Sequence, residues 1–267
     1  MPQELLQTAR EAARAGAELL RRMWGQGLEV SQKGRFDFVT QADRRSEAAI
    51  LKIIRSRHPD HAILAEESAG DWQEAAASPD VLWIVDPLDG TTNYIHGFPV
   101  VGVSVAAWRR GRPLVGVIID LARDEEFYAL QGGGAWSGER RLRVSPVEDP
   151  ARSLLLTGFP FREKERLDQF LALFKELFHR VSGVRRAGAA CLDLAYLAAG
   201  RAEGFWETGL SPWDVAAGVL LIQEAGGVVS DFAGKDGYLW NRQLVAGNPA
   251  THPWLRQACL RHLGPPA

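Results

Sequence analysis

Three separated segments place carboxylates at the edges of apolar runs: Ala65-Glu66-Glu67-Ser68, Trp83-Ile84-Val85-Asp86-Pro87-Leu88-Asp89-Gly90-Thr91-Thr92-Asn93, and Pro212-Trp213-Asp214-Val215-Ala216-Ala217-Gly218. Acids that emerge from buried strands are costly unless something cationic compensates them. Oxygen donors with no His or Cys beside them suit magnesium, manganese or calcium, not zinc. Within DPLDGT, Pro87 predicts a turn directly after a strand. Asp86 and Asp89 then face one point, with the Leu88 carbonyl between them. Gly90 lets the backbone approach a ligand closely. The amides of Gly90 and Thr91, at the start of a helix, can hold a phosphate, and the Thr91 hydroxyl can orient a water. Each segment alone has a plainer explanation: an Asp-Gly turn, an N-cap at Asp214, a solvated loop at Glu66-Glu67.

These residues need elements to hold them. Apolar positions at helical spacing (Leu5, Ala9, Ala12, Ala13, Leu19, Leu20, Met23) predict an amphipathic helix over 3–24, closed by Gly25 and Gly27. The polar stretch SQKGRFDFVTQAD reads as a loop or hairpin. Thr40 and Asp43 have the spacing of a capping box for a second helix that buries Ile50, Ile53 and Ile54. Ile63 to Ala65 is a short strand delivering Glu66, and Val81 to Val85, apolar throughout, is a central strand ending on Asp86. Residues 71–80 are a polar connection. Strands are expected over 100–108, 114–120, 127–130 and 142–144. A second half begins near Pro150, giving a division at 1–149 and 150–267. It carries helices over about 164–178, 190–199 and 213–225, a strand at 203–206, strands at Val228-Val229 and Leu244-Val245, and a closing helix after Pro253. The mixture is α+β, without a clean βαβ alternation.

The 267 residues, 46% hydrophobic, can bury one large core or two joined halves. The formal net charge of −2, with no run of like charges, gives no basic surface for nucleic acid. Cys191 and Cys259, the only cysteines, make neither a disulfide framework nor a zinc cluster, as in a reducing cytosol. The first residues read as a helix and not a signal peptide, and no apolar run reaches a membrane span of roughly 18 residues. The expectation is a soluble, cytoplasmic protein.

DPLDGTTNY and PWDVAAG together, in this order, resemble the two signatures of the inositol monophosphatase family. The likeness extends through AEES, DFVTQAD, TGFPF, RRAGAACLDLAYLAAGRAEGFWETGLSPWD, EAGGVVSDF and AGNP, and looks closest to the bacterial inositol-1-monophosphatase branch. It implies a layered αβαβα sandwich, commonly a homodimer. It implies that Glu66, Asp86, Asp89, Asp214 and the Leu88 carbonyl hold two or three magnesium ions, for which manganese can substitute. Asp86 matches the acid that bridges two metals. Glu66 and Thr91 match the residues that position and activate the attacking water, and Asp43 the acid that supports Thr91 and a further metal. Gly90 and Thr91 would hold the phosphate. Gly188, Ala189, Ala190 and Glu207 match the wall that meets the alcohol. The implied reaction is hydrolysis of a small phosphate monoester, foremost myo-inositol 1-phosphate, by in-line attack of activated water without a phosphoenzyme. Cys191 and His96 then stand outside the chemistry. Within the same superfamily, fructose-1,6-bisphosphatase and 3′-phosphoadenosine phosphatase share such a site. A non-catalytic regulatory partner role is the alternative of another kind. Lys33 precedes Asp37 in the segment where family members often carry a lysine.

Overall fold

The computed structural model describes residues 2–26, 30–34, 37–69, 80–161 and 163–265, with the backbone alone for 30–34 and 37–39. The side chain of Lys33 and the connection at 71–79 therefore lie outside the described residues.

Five layers stack. The outermost holds α1 (Pro2–Met23) and α2 (Gln41–Arg57), preceded by a two-stranded ribbon of β1 (Val30–Gly34) and β2 (Asp37–Thr40). Proline opens α1, where a missing amide proton costs nothing, and the face Leu5, Ala9, Ala12, Ala13, Gly16, Leu20 is buried. At Gly16 a Cβ would lie 2.7 Å from Ser46 Oγ, so only glycine lets α2 come this close to α1.

Beneath them lies a seven-stranded sheet in the order β3-β4-β5-β6-β7-β8-β9, formed by Ala62–Ala65, Val81–Asp89, Gly102–Arg109, Arg112–Asp120, Glu125–Leu130, Gly134–Ser137 and Arg140–Arg141. Both faces of β4 are covered, which is why it is apolar without alternation. Val81, Trp83 and Val85 pack toward α1 and α2. Leu82 and Ile84 pack into the core on the opposite face. The short α3 (Thr91–Ile95) follows β4.

The middle layer is α5 (Ala190–Ala198) with α6 (Pro212–Glu224), which share the largest apolar cluster with the sheet. Contact is close: a Cβ on Gly116 of β6 would lie 2.8 Å from the Ala217 carbonyl oxygen of α6. Trp108 Nε1 donates to the Ala216 carbonyl at 3.2 Å. The fourth layer is a five-stranded sheet in the order β11-β10-β12-β14-β13, formed by Gly183–Arg185, Leu154–Thr157, Gly204–Thr208, Gln243–Gly247 and Val228–Ser230. The fifth layer is α4 (Leu167–Phe178) and α7 (Thr251–Leu263), whose Phe170, Leu173, Leu255 and Ala258 close a third apolar cluster. The architecture is the α+β, αβαβα sandwich expected from the sequence.

Two local expectations change. Strand β4 does not stop at Val85. It continues through Pro87 to Asp89 against β5, with Asp86 opposite Ser104, Asp89 opposite Gly102, and an irregularity between. Pro87 is tolerated because it sits in that bulge. Residues 142–144 form no strand: the Leu142 amide donates to Ala135 but the Val144 amide donates to Ala225 at the end of α6, so the segment leaves the sheet after one bond.

Candidate metal centre and active site

The bulge in β4 brings two carboxylates to one side. In a regular strand, residues 86 and 89 have opposite parity and face opposite ways. Here three steps along β4 oppose two along β5, so one extra residue restores a common face. Asp86 is 1% exposed, and its Oδ1 accepts from the Leu88 amide at 3.0 Å. Asp89 Oδ2 accepts from the Cys191 amide in the first turn of α5, at 2.7 Å.

Glu66 opens a short 3-10 turn, Glu66–Ser68, at the end of β3. Because β3 runs parallel to β4 with Ala65 opposite Val85, Glu66 leaves the sheet beside Asp86. Buried Glu47 of α2 fixes the turn by accepting from the Glu67 amide at 2.8 Å. Asp214 is the third residue of α6, and its Oδ2 accepts from the Ser211 amide at 2.7 Å.

The four acids feel one another. Burial first, and then the charges of Glu66, Asp89 and Asp214, push the Asp86 carboxyl well above the usual carboxylate range. Among the described residues no group of three or more His, Cys, Asp or Glu side chains is drawn closely enough together to grip an ion as it stands. The case for a cation rests on the donor set and its mutual repulsion. All-oxygen donors around a buried acid, with no cationic side chain of the described residues acting on it, fit a hard divalent ion.

Thr91 stands next to this cluster. Its Oγ lies 3.0 Å from Asp43 Oδ1 and 3.2 Å from the Leu88 carbonyl oxygen, both acceptors. Asp43 is 1% exposed and held by the capping box that starts α2. Its Oδ2 accepts from the Thr40 amide at 2.8 Å and the Thr40 hydroxyl at 2.6 Å. Burial nonetheless raises its carboxyl, against the lowering effect of those bonds. Gly90 has φ +88°, and a Cβ there would lie 2.9 Å from the Val100 carbonyl oxygen.

The acids line one wall of a cavity of about 690 Å³, within the range of small-molecule sites. Gly188, Ala189, Ala190 and Glu207 line it too, together with Gly90 and Thr91. Asp43 reaches it only through Thr91. Both halves of the chain build the site. Asn93 of α3 ties the two walls by donating from Nδ2 to Val100 at 2.8 Å and to Ala187 at 3.0 Å.

The cavity also holds residues to which sequence reasoning gave no role in the site: Thr157, Gly158, Phe159, Phe161, Arg186 and Asp193. TGFPF and RRAGAACLDL carry all of them. Gly158 is packed so tightly that a Cβ would meet Glu207 Oε1 at 2.0 Å. An acid inside the apolar run of 190–198 was the available signal for Asp193. His96 does not line the cavity, and Cys191 joins the site through its backbone amide. No helix of the described residues is long and apolar enough to cross a membrane.

Comparison with known proteins places the chain in a family. The Nus factor SuhB of Pseudomonas aeruginosa is 46% identical over 267 residues, covering 98% of each chain. The inositol-1-monophosphatase of Mesorhizobium japonicum is 44% identical over 261 residues, covering 97% of each. The structure of inositol monophosphatase from Anabaena (Nostoc) superposes with a TM-score of 0.86 at 41% identity, covering 99% of this chain and 97% of that one. The model of the inositol monophosphatase family matches residues 1–263, a span that includes every acid of the cluster, and the chain belongs to that family.

Proposed function

We propose that this chain is a magnesium-dependent phosphomonoesterase acting on small polyol phosphates, myo-inositol 1-phosphate foremost. The observation that carries the reading is the meeting of Glu66, Asp86, Asp89 and Asp214, from three segments, on one wall of a cavity that also holds the Thr91 hydroxyl. Those four carboxylates and the Leu88 carbonyl would hold two or three magnesium ions. When bound, the ions supply charge neutralisation at the phosphoryl and leaving oxygens and lower the pKa of water.

The rest falls to side chains of this protein. The Thr91 hydroxyl has one proton, and two acceptors compete for it. Its lone pairs are then left to accept from a water, which points that water's own lone pair toward phosphorus. Glu66, at the free end of β3, takes the proton the water releases. The Gly90 and Thr91 amides hold the phosphate, where the positive φ of Gly90 keeps the approach clear of a side chain. Glu207 and the 188–190 wall meet the alcohol. No nucleophilic side chain is required, so no phosphoenzyme forms.

A second reading draws on the relatives. The Pseudomonas aeruginosa protein is named a Nus factor, which favours a partner-binding role alongside or in place of turnover. Recovery of the same partners from native lysate by wild type and by Asp89→Asn would support it.

The test is phosphate release from a panel of inositol, sugar and nucleotide monophosphates and fructose 1,6-bisphosphate, with magnesium. The expected result is highest kcat/KM on the inositol ester. Preference for the bisphosphate or for 3′-phosphoadenosine phosphate would replace the substrate, and no release from any ester would overturn the reading.

A further inference from the structure

Asp193 is the one acid lining the cavity that the carboxylate cluster, the water-orienting pair and the alcohol wall all leave unused. It sits in the first turn of α5, an otherwise apolar helix, and is 2% exposed. Its Oδ1 is fully buried without a hydrogen-bond partner. As the fourth residue of the helix it lies past the capping position, and it forms no ion pair among the described residues. The guanidinium of Arg186, across the cavity wall, instead stands over the Phe161 ring, 5.0 Å from its centroid. Native structures rarely leave a buried polar atom unpartnered, and each exception calls for a ligand, a water or strain. The residue that carries this atom is among those lining the cavity.

The surroundings define what the ligand presents there. Burial first, and then the charges of Glu207 and Asp89, push the Asp193 carboxyl well above the usual carboxylate range, with Arg186 acting the other way. A second phosphoryl or carboxylate group there would meet two acids, Asp193 and Glu207, against one guanidinium. A neutral hydroxyl meets two acceptors, and a carboxyl that keeps its proton can also donate. Phe159 and Phe161 line the same cavity and offer apolar surface to a carbon skeleton.

We propose that Asp193 is a specificity-determining residue that hydrogen-bonds a secondary hydroxyl of the substrate's alcohol, selecting neutral polyols over alcohols with no further hydroxyl. The inference rests on the phosphatase reading and deepens it. A residue that serves only to brace α5 would, when changed, weaken turnover of every ester in proportion.

The experiment compares kcat/KM for myo-inositol 1-phosphate with kcat/KM for p-nitrophenyl phosphate, whose leaving group has no further hydroxyl, in wild type and in Asp193→Ala. Alanine removes both oxygens and suits a helix. The ratio of the two values is expected to fall about 10- to 100-fold, the size of a lost hydrogen bond to a buried acid. The loss should fall more on KM than on kcat. An unchanged ratio, with both esters falling together or neither falling, would overturn the proposal. Should Asp193→Ala not fold, Asp193→Leu carries the same comparison. A wild type that cleaves p-nitrophenyl phosphate but not the inositol ester overturns this inference alone. A wild type that cleaves neither overturns the phosphatase reading and this inference with it.

Discussion

Thr91 and Glu66 divide one task at the scale of the residue. Thr91 contributes a lone pair in a fixed direction, and Glu66 contributes charge and basicity. Thr91→Ala removes only the first. Magnesium affinity should hold while kcat falls, because the four acids are untouched. Glu66→Gln removes a donor charge and the proton acceptor together, and kcat should fall further, by about 10²–10⁴-fold, as for loss of a general base. Steady-state kinetics at saturating magnesium check the order. Near-normal kcat in Glu66→Gln would remove Glu66 from the proton transfer. The acids of this centre could be read from residue type and position alone, because a carboxylate after an apolar strand has few other uses. Asp193 could not. Its meaning depends on Glu207 and Arg186, which only the folding of β12 and β11 beside α5 brings near.

Two helices begin at acids of the site, and this economy belongs to the scale of the element. Asp43 closes the capping box of α2 and also holds Thr91; Asp214 accepts from the Ser211 amide at the start of α6 and also faces Asp86. Thr40→Ala removes the cap and one of the bonds that aim Asp43. It should lower stability by about 1 kcal/mol, or about 2–4 °C in melting temperature for a chain of this size. It should also lower kcat more than it raises KM. Thr40→Ser should restore both, since the hydroxyl is what acts, and failure of serine to rescue kcat would mean that the cap does not aim Thr91. The α2 box was legible in the sequence because its two members are three residues apart. The bulge of β4 was not, because Pro87 after an apolar run reads equally as a turn. Only pairing with Ser104 and Gly102 shows that the strand persists and that Asp86 and Asp89 share a face.

At the scale of the whole molecule, the seven-stranded sheet ends by Arg141 and the five-stranded sheet begins at Leu154, yet the site belongs to both halves. The Cys191 amide grips Asp89, Asn93 holds the 187 carbonyl, and α6 lies on β5 and β6 as the middle layer. Four like charges at this seam oppose folding until a cation joins them. The raised carboxyl of Asp86 means that, between the unfolded value and the higher folded one, the folded protein without metal holds a proton that the unfolded chain has lost. Its stabilising contribution is complete below the unfolded value of about 3.9 and is lost as pH rises through the higher folded value. Metal reverses this by binding only the folded, ionised cluster. At about 100 times the dissociation constant it stabilises by about 2.7 kcal/mol, on the order of 5–10 °C. Asp86→Asn removes the charge and keeps an oxygen that can accept from the Leu88 amide. The direct test is thermal unfolding of wild type and Asp86→Asn at neutral pH, each in chelator and in saturating magnesium. The expected result is a variant that melts higher than wild type in chelator and gains little from magnesium, while wild type gains markedly. A wild type indifferent to magnesium, or a variant that responds to it as fully as wild type, would contradict a metal centre built on Asp86.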